Sequence, residues 1–338
     1  MKKILIIIFC ILFTAGIIFN YSTIRNSVVA SVSLCVTSVL PTVFPFMIIT
    51  SVIVSSGSAE IIGRPFAPLL KKIFGVSSCS TAPILLGLTA GFPIGALCSY
   101  KLYKKGDIDK EEAEYLLSFC SNSGISFIFG IMGGAVFGSI KAGVIIFLIQ
   151  TVASVLCGVI LRRKDNVQSY INYSKYNISV SNVIIDSVKS SVLNIAYICG
   201  YIIFFAVLTE LVLSVLPSYC RLPLKGVLEL TGASYELINI PYKPAFIVAC
   251  GLLSWSGVCV HMQVRSVVGE LSLKPYFLGK IIHMAISMTL ASLIPIENYV
   301  NAYRESSFVS VNHTSYGLMF AAIIFIIYCC IFFKNSVK

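Results

Sequence analysis

Charge is what this chain has least of. Only 12% of its 338 residues are Asp, Glu, Lys or Arg, and just 14 are acidic. A soluble domain carries about a quarter of its residues in these four types. Half that share leaves too little polar surface to cover a globule. The sequence also contains no Gly-x-x-x-x-Gly-Lys-Ser/Thr loop, no His-Glu-x-x-His and no Ser/His/Asp order, so phosphate-loop, zinc-protease and triad chemistry lack their residues. Twelve cysteines are present but no Cys-x-x-Cys, which removes the redox pair and the zinc site. Cys10, Cys35, Cys157, Cys250, Cys329 and Cys330 lie in apolar stretches and read as small packing residues. His261, His283 and His313 show no ligand spacing. No enzymatic activity, metal or cofactor is expected.

What is abundant is apolar. Hydrophobic residues make up 57% of the chain and the mean hydropathy is +0.92. The length allows roughly eight to ten membrane segments of about 20 residues. The expected fold is all-α: a polytopic membrane protein with re-entrant or broken helices and amphipathic helices at the interface. The net charge of +11 comes from Lys and Arg beside apolar runs, where they orient segments during insertion. No basic run is interleaved with aromatics, so the bilayer is the expected partner and nucleic acid is not. Residues 1–26 carry Lys2 and Lys3 before an apolar run without a small-x-small cleavage site, and are read as a retained signal-anchor helix.

Along the chain, residues 27–56 are apolar but hold Pro41 and Pro45, so this helix must pack against protein. Residues 57–76 mix apolar residues with Glu60, Arg64, Lys71 and Lys72, the pattern of an interfacial helix. Residues 83–100 are apolar around Gly91-Phe92-Pro93-Ile94-Gly95. A continuous helix is disfavoured there, and each arm spans only half of about 30 Å of hydrocarbon. Asp109 and Glu112 have capping-box spacing. Residues 121–124, Ser-Asn-Ser-Gly, break the next helix, and 141–161 form a span. Residues 165–181 are a polar linker. Beyond it come an amphipathic lead-in at 182–196, a span at 197–216, a polar loop at 217–243, a broken apolar segment at 244–263, and spans at 276–295 and 317–333.

Two patches suggest duplication, with a first repeat over 27–164 and a second over 182–338. Ser31 to Ser38 aligns with Ser187 to Asn194, and Gly87 to Lys101 aligns without gaps with Gly251 to Arg265. With the basic loops inside, the first broken segment enters from the cytoplasmic side and the second from the opposite face. That is the inverted repeat from which secondary transporters build a midplane site. Half-helix ends in lipid leave N–H and C=O groups that protein, water or solute must satisfy. The candidate substrate-binding residues are therefore Gly91, Phe92, Pro93 and Gly95 at the first break, and Ser254, Ser256 and Gly257 at the second. Close helix packing by these small residues is the competing reading. Asn122 either bonds solute or caps a helix. Glu210, the one acid well inside an expected span, either couples transport to protons or reaches the interface. His261 either lines the path or is an interior histidine.

The stretch VLPTVFPFMIITSVI, then IIGRPFAPLLKKIFG, LGLTAGFPIGA, KKGDIDKEEAEYLLSFCSNSG and FIFG resembles the YlbJ-type sporulation integral membrane proteins of endospore-forming Firmicutes. It is also similar to the wider nucleoside-recognition or Gate group, related to concentrative nucleoside transporters. The likeness is clearest over residues 28–160, with Ser121 standing where much of the family has Asn. The resemblance implies movement of dipicolinic acid, a small aromatic dianion, across the outer forespore membrane in support of cortex formation and heat resistance. Nucleoside or other small-anion transport, and a scaffold for cortex assembly without transport, are the alternatives.

Overall fold

A computed structural model describes residues 2–162 and 179–300; most of the expected linker, the span expected at 317–333 and His313 lie outside the described residues. Among the described residues the ordered elements are all helical. Helix α1 (Lys2–Phe19) turns by 96° into α2 (Tyr21–Leu34). A π-helical turn, Cys35–Val39, joins α2 to α3 (Leu40–Ser55). Pro41 and Pro45 sit in α3, and the wider turn just before them lets Leu40 N–H reach the Cys35 carbonyl. A proline ring displaces the preceding carbonyls, and a π turn takes up that displacement without ending the helix.

At Gly57 (φ +76°) the chain bends by 97° into α4 (Ser58–Gly63) and α5 (Ala67–Phe74). The segment is amphipathic, as its mixed composition predicts: Leu70 and Phe74 are buried, while Lys71 and Lys72 are exposed. Next come α6 (Thr81–Thr89) and α7 (Ile94–Lys105), which pack side by side as a hairpin. At 1.5 Å per residue the arms are about 14 and 18 Å long, so each reaches only part of the way through the bilayer.

Helix α8 (Lys110–Leu117) starts as its capping signal predicts, with Asp109 accepting from Glu112 N at 2.6 Å. Glu112 does not return the bond. Its carboxylate instead accepts from Ser77 N at 2.7 Å and Ser80 Oγ at 2.5 Å, tying α8 to the base of the hairpin. Residues 118–124 are not helical, and a π-helix follows over Phe127–Val136. The span α9 (Ile140–Ile160) ends the first series.

The second series begins with α10 (Val180–Leu213), a single helix of 34 residues where a lead-in and a separate span were expected. It is about 51 Å long and packs on α2 and α3. The expected polar loop at 217–243 instead contains α11 (Arg221–Leu228) and α12 (Leu230–Glu236), packed together. Part of its apolar content is spaced to be buried: Val227, Leu230, Ala233 and Leu237 all face inward. Glu229 caps α12, accepting from Thr231 N at 2.6 Å and Gly232 N at 2.5 Å. Helices α13 (Tyr242–Trp255) and α14 (Gly257–Val267) follow each other in one apolar run of 26 residues, and α15 (Lys274–Leu293) closes the series.

Four described helical runs are long and apolar enough to cross a membrane, or six if each bent pair counts as one span. This is fewer than length alone allows, because interfacial and half-length helices take up much of the chain. Side-chain contacts sort the ends into two faces. On the basic face, Lys101 donates to Ser51 Oγ (2.7 Å), Lys104 pairs with Glu270 (2.6 Å), Ser272 N donates to Glu114 (2.8 Å) and Arg162 lies near Lys71. The Lys104 ammonium holds the exposed Glu270 carboxyl below its ordinary range. On the far face, Ser139 Oγ donates to the Tyr299 carbonyl (2.6 Å), and Lys243 donates to the carbonyls of Ala291 (3.3 Å) and Ile294.

A long helical run, a hairpin, an interrupted span and a straight span thus occur twice, in opposite directions. The first series is α2–α3, α6–α7, α8 through the π-helix, and α9. The second is α10, α11–α12, α13–α14 and α15. In this order the partner of α13–α14 is α8 through the π-helix. The alignment of Gly87 to Lys101 with Gly251 to Arg265 is therefore out of register. Both segments are apolar with small residues at a break, but in one the arms fold back on each other and in the other they run on.

Candidate functional site

Three helix breaks meet inside the bundle. The first is the hairpin tip, where Gly91 takes φ +88° before the cis Phe92–Pro93 peptide and Pro93 precedes α7. A Cβ on Gly91 would stand 2.4 Å from Gly124 N. The second break is 118–124, tied to the tip by Phe92 N–H donating to the Asn122 carbonyl at 2.8 Å. The third lies between α13 and α14, where Ser256 (φ +74°) and Gly257 (φ +82°) are both left-handed. It comes about 21 Å from the start of a run about 39 Å long, close to half-way along it. Gly257 packs against the Leu228–Glu229 backbone, with its Cβ position 3.0 Å from Leu228 O.

Backbone approaches this close need glycine. Cβ atoms placed at Gly87, Gly95 and Gly279 would lie 2.0, 1.9 and 1.9 Å from the carbonyl oxygens of Cys120, Cys120 and Ser118. Both hairpin arms and α15 therefore close on one short unwound stretch. Gly95 lies inside α7, one residue after its first turn begins, so its place in the site is close packing.

The next residue after Gly279 is Lys280, and this is the centre of the site. It is 2% exposed. Its ammonium donates to the Ser121 carbonyl and to Ser256 Oγ (3.2 Å), joining the second break to the third. The Phe92 and Tyr276 rings lie 5.8 and 5.6 Å away. Among the described residues no carboxylate pairs with it. Ser123 adds a further link, its hydroxyl donating to the Leu253 carbonyl at 3.2 Å. Ser121 Oγ and His261 Nε2 are buried and have no hydrogen-bond partner among the described residues. His261 Nδ1 lies 2.8 Å from the Tyr276 hydroxyl, and its ring packs edge-on to Trp255.

Of the residues singled out from sequence, Gly91, Phe92, Pro93, Asn122, Ser256 and Gly257 come together at these breaks. Asn122 is buried, donating to the Phe119 carbonyl (2.9 Å) and Ser154 Oγ (3.2 Å), while its Oδ1 has no partner among the described residues. Ser254 sits two residues before the third break in a separate polar cluster. Its hydroxyl lies within hydrogen-bond distance of Gln150 Oε1, Ser287 Oγ and the Cys250 carbonyl. Gln150 also donates to the Cys250 carbonyl at 2.9 Å, and His283 Nε2 lies 3.1 Å from the Gln150 carbonyl. Replacing Gln150 with Leu should lower stability by about 1 kcal/mol, read as a lower thermal midpoint of the purified protein. Glu210 stands apart, 3.9 Å from Lys225, which also binds Glu236 at 2.9 Å.

Sequence reasoning missed Lys280. The signal was present: a lysine seven residues into an otherwise apolar span meets the same test that singled out Glu210. Glu210 is weighed on that test from the sequence and Lys280 is not. No group of three or more His, Cys, Asp or Glu among the described residues is placed to hold a metal ion.

No family model matches the chain. No solved structure matches it. The chain is similar to the sporulation integral membrane protein YlbJ of Bacillus subtilis (strain 168), with 24% identity over 301 residues covering 76% of this chain and 74% of that one. Together with the apolar spans, this similarity supports the assignment as a sporulation integral membrane protein of the YlbJ type.

Proposed function

We propose that the chain is a membrane transporter for a small anion, dipicolinate first, acting at the outer forespore membrane during spore formation. The observation that carries this reading is the meeting of three helix breaks from two faces around buried polar groups. Irregular backbone at membrane depth is tolerated only where protein buries it or where it lines a path for solute. Inverted series with interrupted helices at their interface are the architecture of secondary transporters. Ser121, Ser256 and Lys280 are all buried, so a solute reaches them only when one series rocks against the other. The relative's name supplies the sporulation setting. A buried cation favours an anion over a neutral nucleoside.

The test is uptake by the full-length protein in sealed vesicles. Labelled dipicolinate should enter in a saturable way, while labelled nucleoside should not. In a deletion strain, dipicolinate should remain in the mother cell while its synthesis continues. Uptake of nucleoside alone would replace the substrate, and no uptake of either would favour a scaffold.

A further inference from the structure

We infer that Lys280 is the counter-charge for a carboxylate of the solute, held between the rings of Phe92 and Tyr276, so that the site selects small aromatic carboxylates. This rests on the transport reading above and names the group that would recognise its substrate.

A buried ammonium without a partner anion is costly: moving one charge out of water costs several kcal/mol even after relaxation. Proteins normally offset that with a carboxylate. Lys280 has none among the described residues, and its hydrogen bonds there go to one carbonyl and one hydroxyl. An ammonium has three N–H donors, so one is left over. The polar atoms nearby are unsatisfied in the complementary sense. Ser121 Oγ and His261 Nε2 are buried without partners among the described residues, and both can donate to a carboxylate. A planar aromatic acid would set its ring beside Phe92 and Tyr276 and its carboxylate on Lys280, exchanging the carbonyl contact for an ion pair.

Lys280 is also placed to report occupancy. It fastens the 118–124 stretch to the Ser256 break. A carboxylate competes for the same N–H groups, so binding would loosen one series from the other at the point where they must separate. Binding and release of the two halves are then coupled through a single side chain.

The test compares wild type, Lys280→Met and Lys280→Arg as full-length protein in detergent, by titration calorimetry with three probes: dipicolinate, its neutral diamide and benzoate. Removing one partner of a buried charge pair costs enough to weaken binding by at least about 30-fold. Wild type should bind both carboxylates and not the diamide. Lys280→Met should lose at least about 30-fold for both, and Lys280→Arg should recover part of it. The Met variant keeps the side-chain volume and removes a lone buried charge, so its thermal midpoint should hold or rise. Equal carboxylate binding by wild type and Lys280→Met overturns the inference, as does the absence of carboxylate binding by wild type. If wild type binds carboxylates through Lys280 yet vesicles take up no dipicolinate, the inference stands and the transport reading falls.

Discussion

Gly95→Ala is expected to lose most of the correctly folded protein. The added methyl would lie 1.9 Å from the Cys120 carbonyl oxygen and 2.9 Å from the Gly87 Cα. Both neighbours are backbone, so no side chain can swing away. Overpacking a tight contact costs about 1–3 kcal/mol, and more where the backbone itself must shift. The expected effect is at the top of that range, about 3 kcal/mol. The hairpin would have to leave the 118–124 stretch, taking Phe92 from the Asn122 carbonyl and from Lys280. Purified Gly95→Ala should therefore elute partly aggregated and show no uptake. Gly200→Ala is the control: nothing lies within 4 Å of its Cβ position in α10, and the change should be neutral or slightly stabilising. A Gly95→Ala protein as stable as Gly200→Ala would contradict the close approach.

The second large effect is expected at Glu112. Its side chain is buried, and both acceptor contacts hold the segment leading into α6. Truncation to Ala leaves the Ser77 N–H without its partner, at a cost of about 3 kcal/mol. Glu112→Gln keeps one acceptor oxygen and should fall between wild type and Ala. Thermal midpoints measured in the same detergent would order the three. Equal midpoints for Ala and wild type would show that the hairpin base does not depend on this carboxylate.

The breaks themselves were legible in the sequence. Two glycines beside a proline, Ser-Asn-Ser-Gly between apolar runs, and the Ser256-Gly257 pair in the second apolar segment each mark a place where helix is disfavoured, and each is a break in the fold. Which breaks fold back and which run on was not legible, because that depends on whether Gly87 and Gly95 face each other across the tip. The helices α11 and α12 were hidden because they are short and half polar, so their charge outweighed their spacing. Asp109 was read correctly as a cap. Glu112, read as its reciprocal partner, was taken up by Ser77 and Ser80, more than 30 residues away in sequence, which no local pattern reveals. Lys280 illustrates the same limit. Its place in the chain marks an intramembrane charge, but its meaning comes from Ser121 and Ser256, brought to it by three separate elements.

The most direct measurement is a density map of the full-length protein in lipid nanodiscs with dipicolinate added. It should show left-handed breaks at Gly91 and Gly257 about half-way through the bilayer, with solute density between Phe92, Ser256 and the Lys280 ammonium. Continuous spanning helices through Gly91 and Gly257, or solute bound away from Lys280, would contradict it.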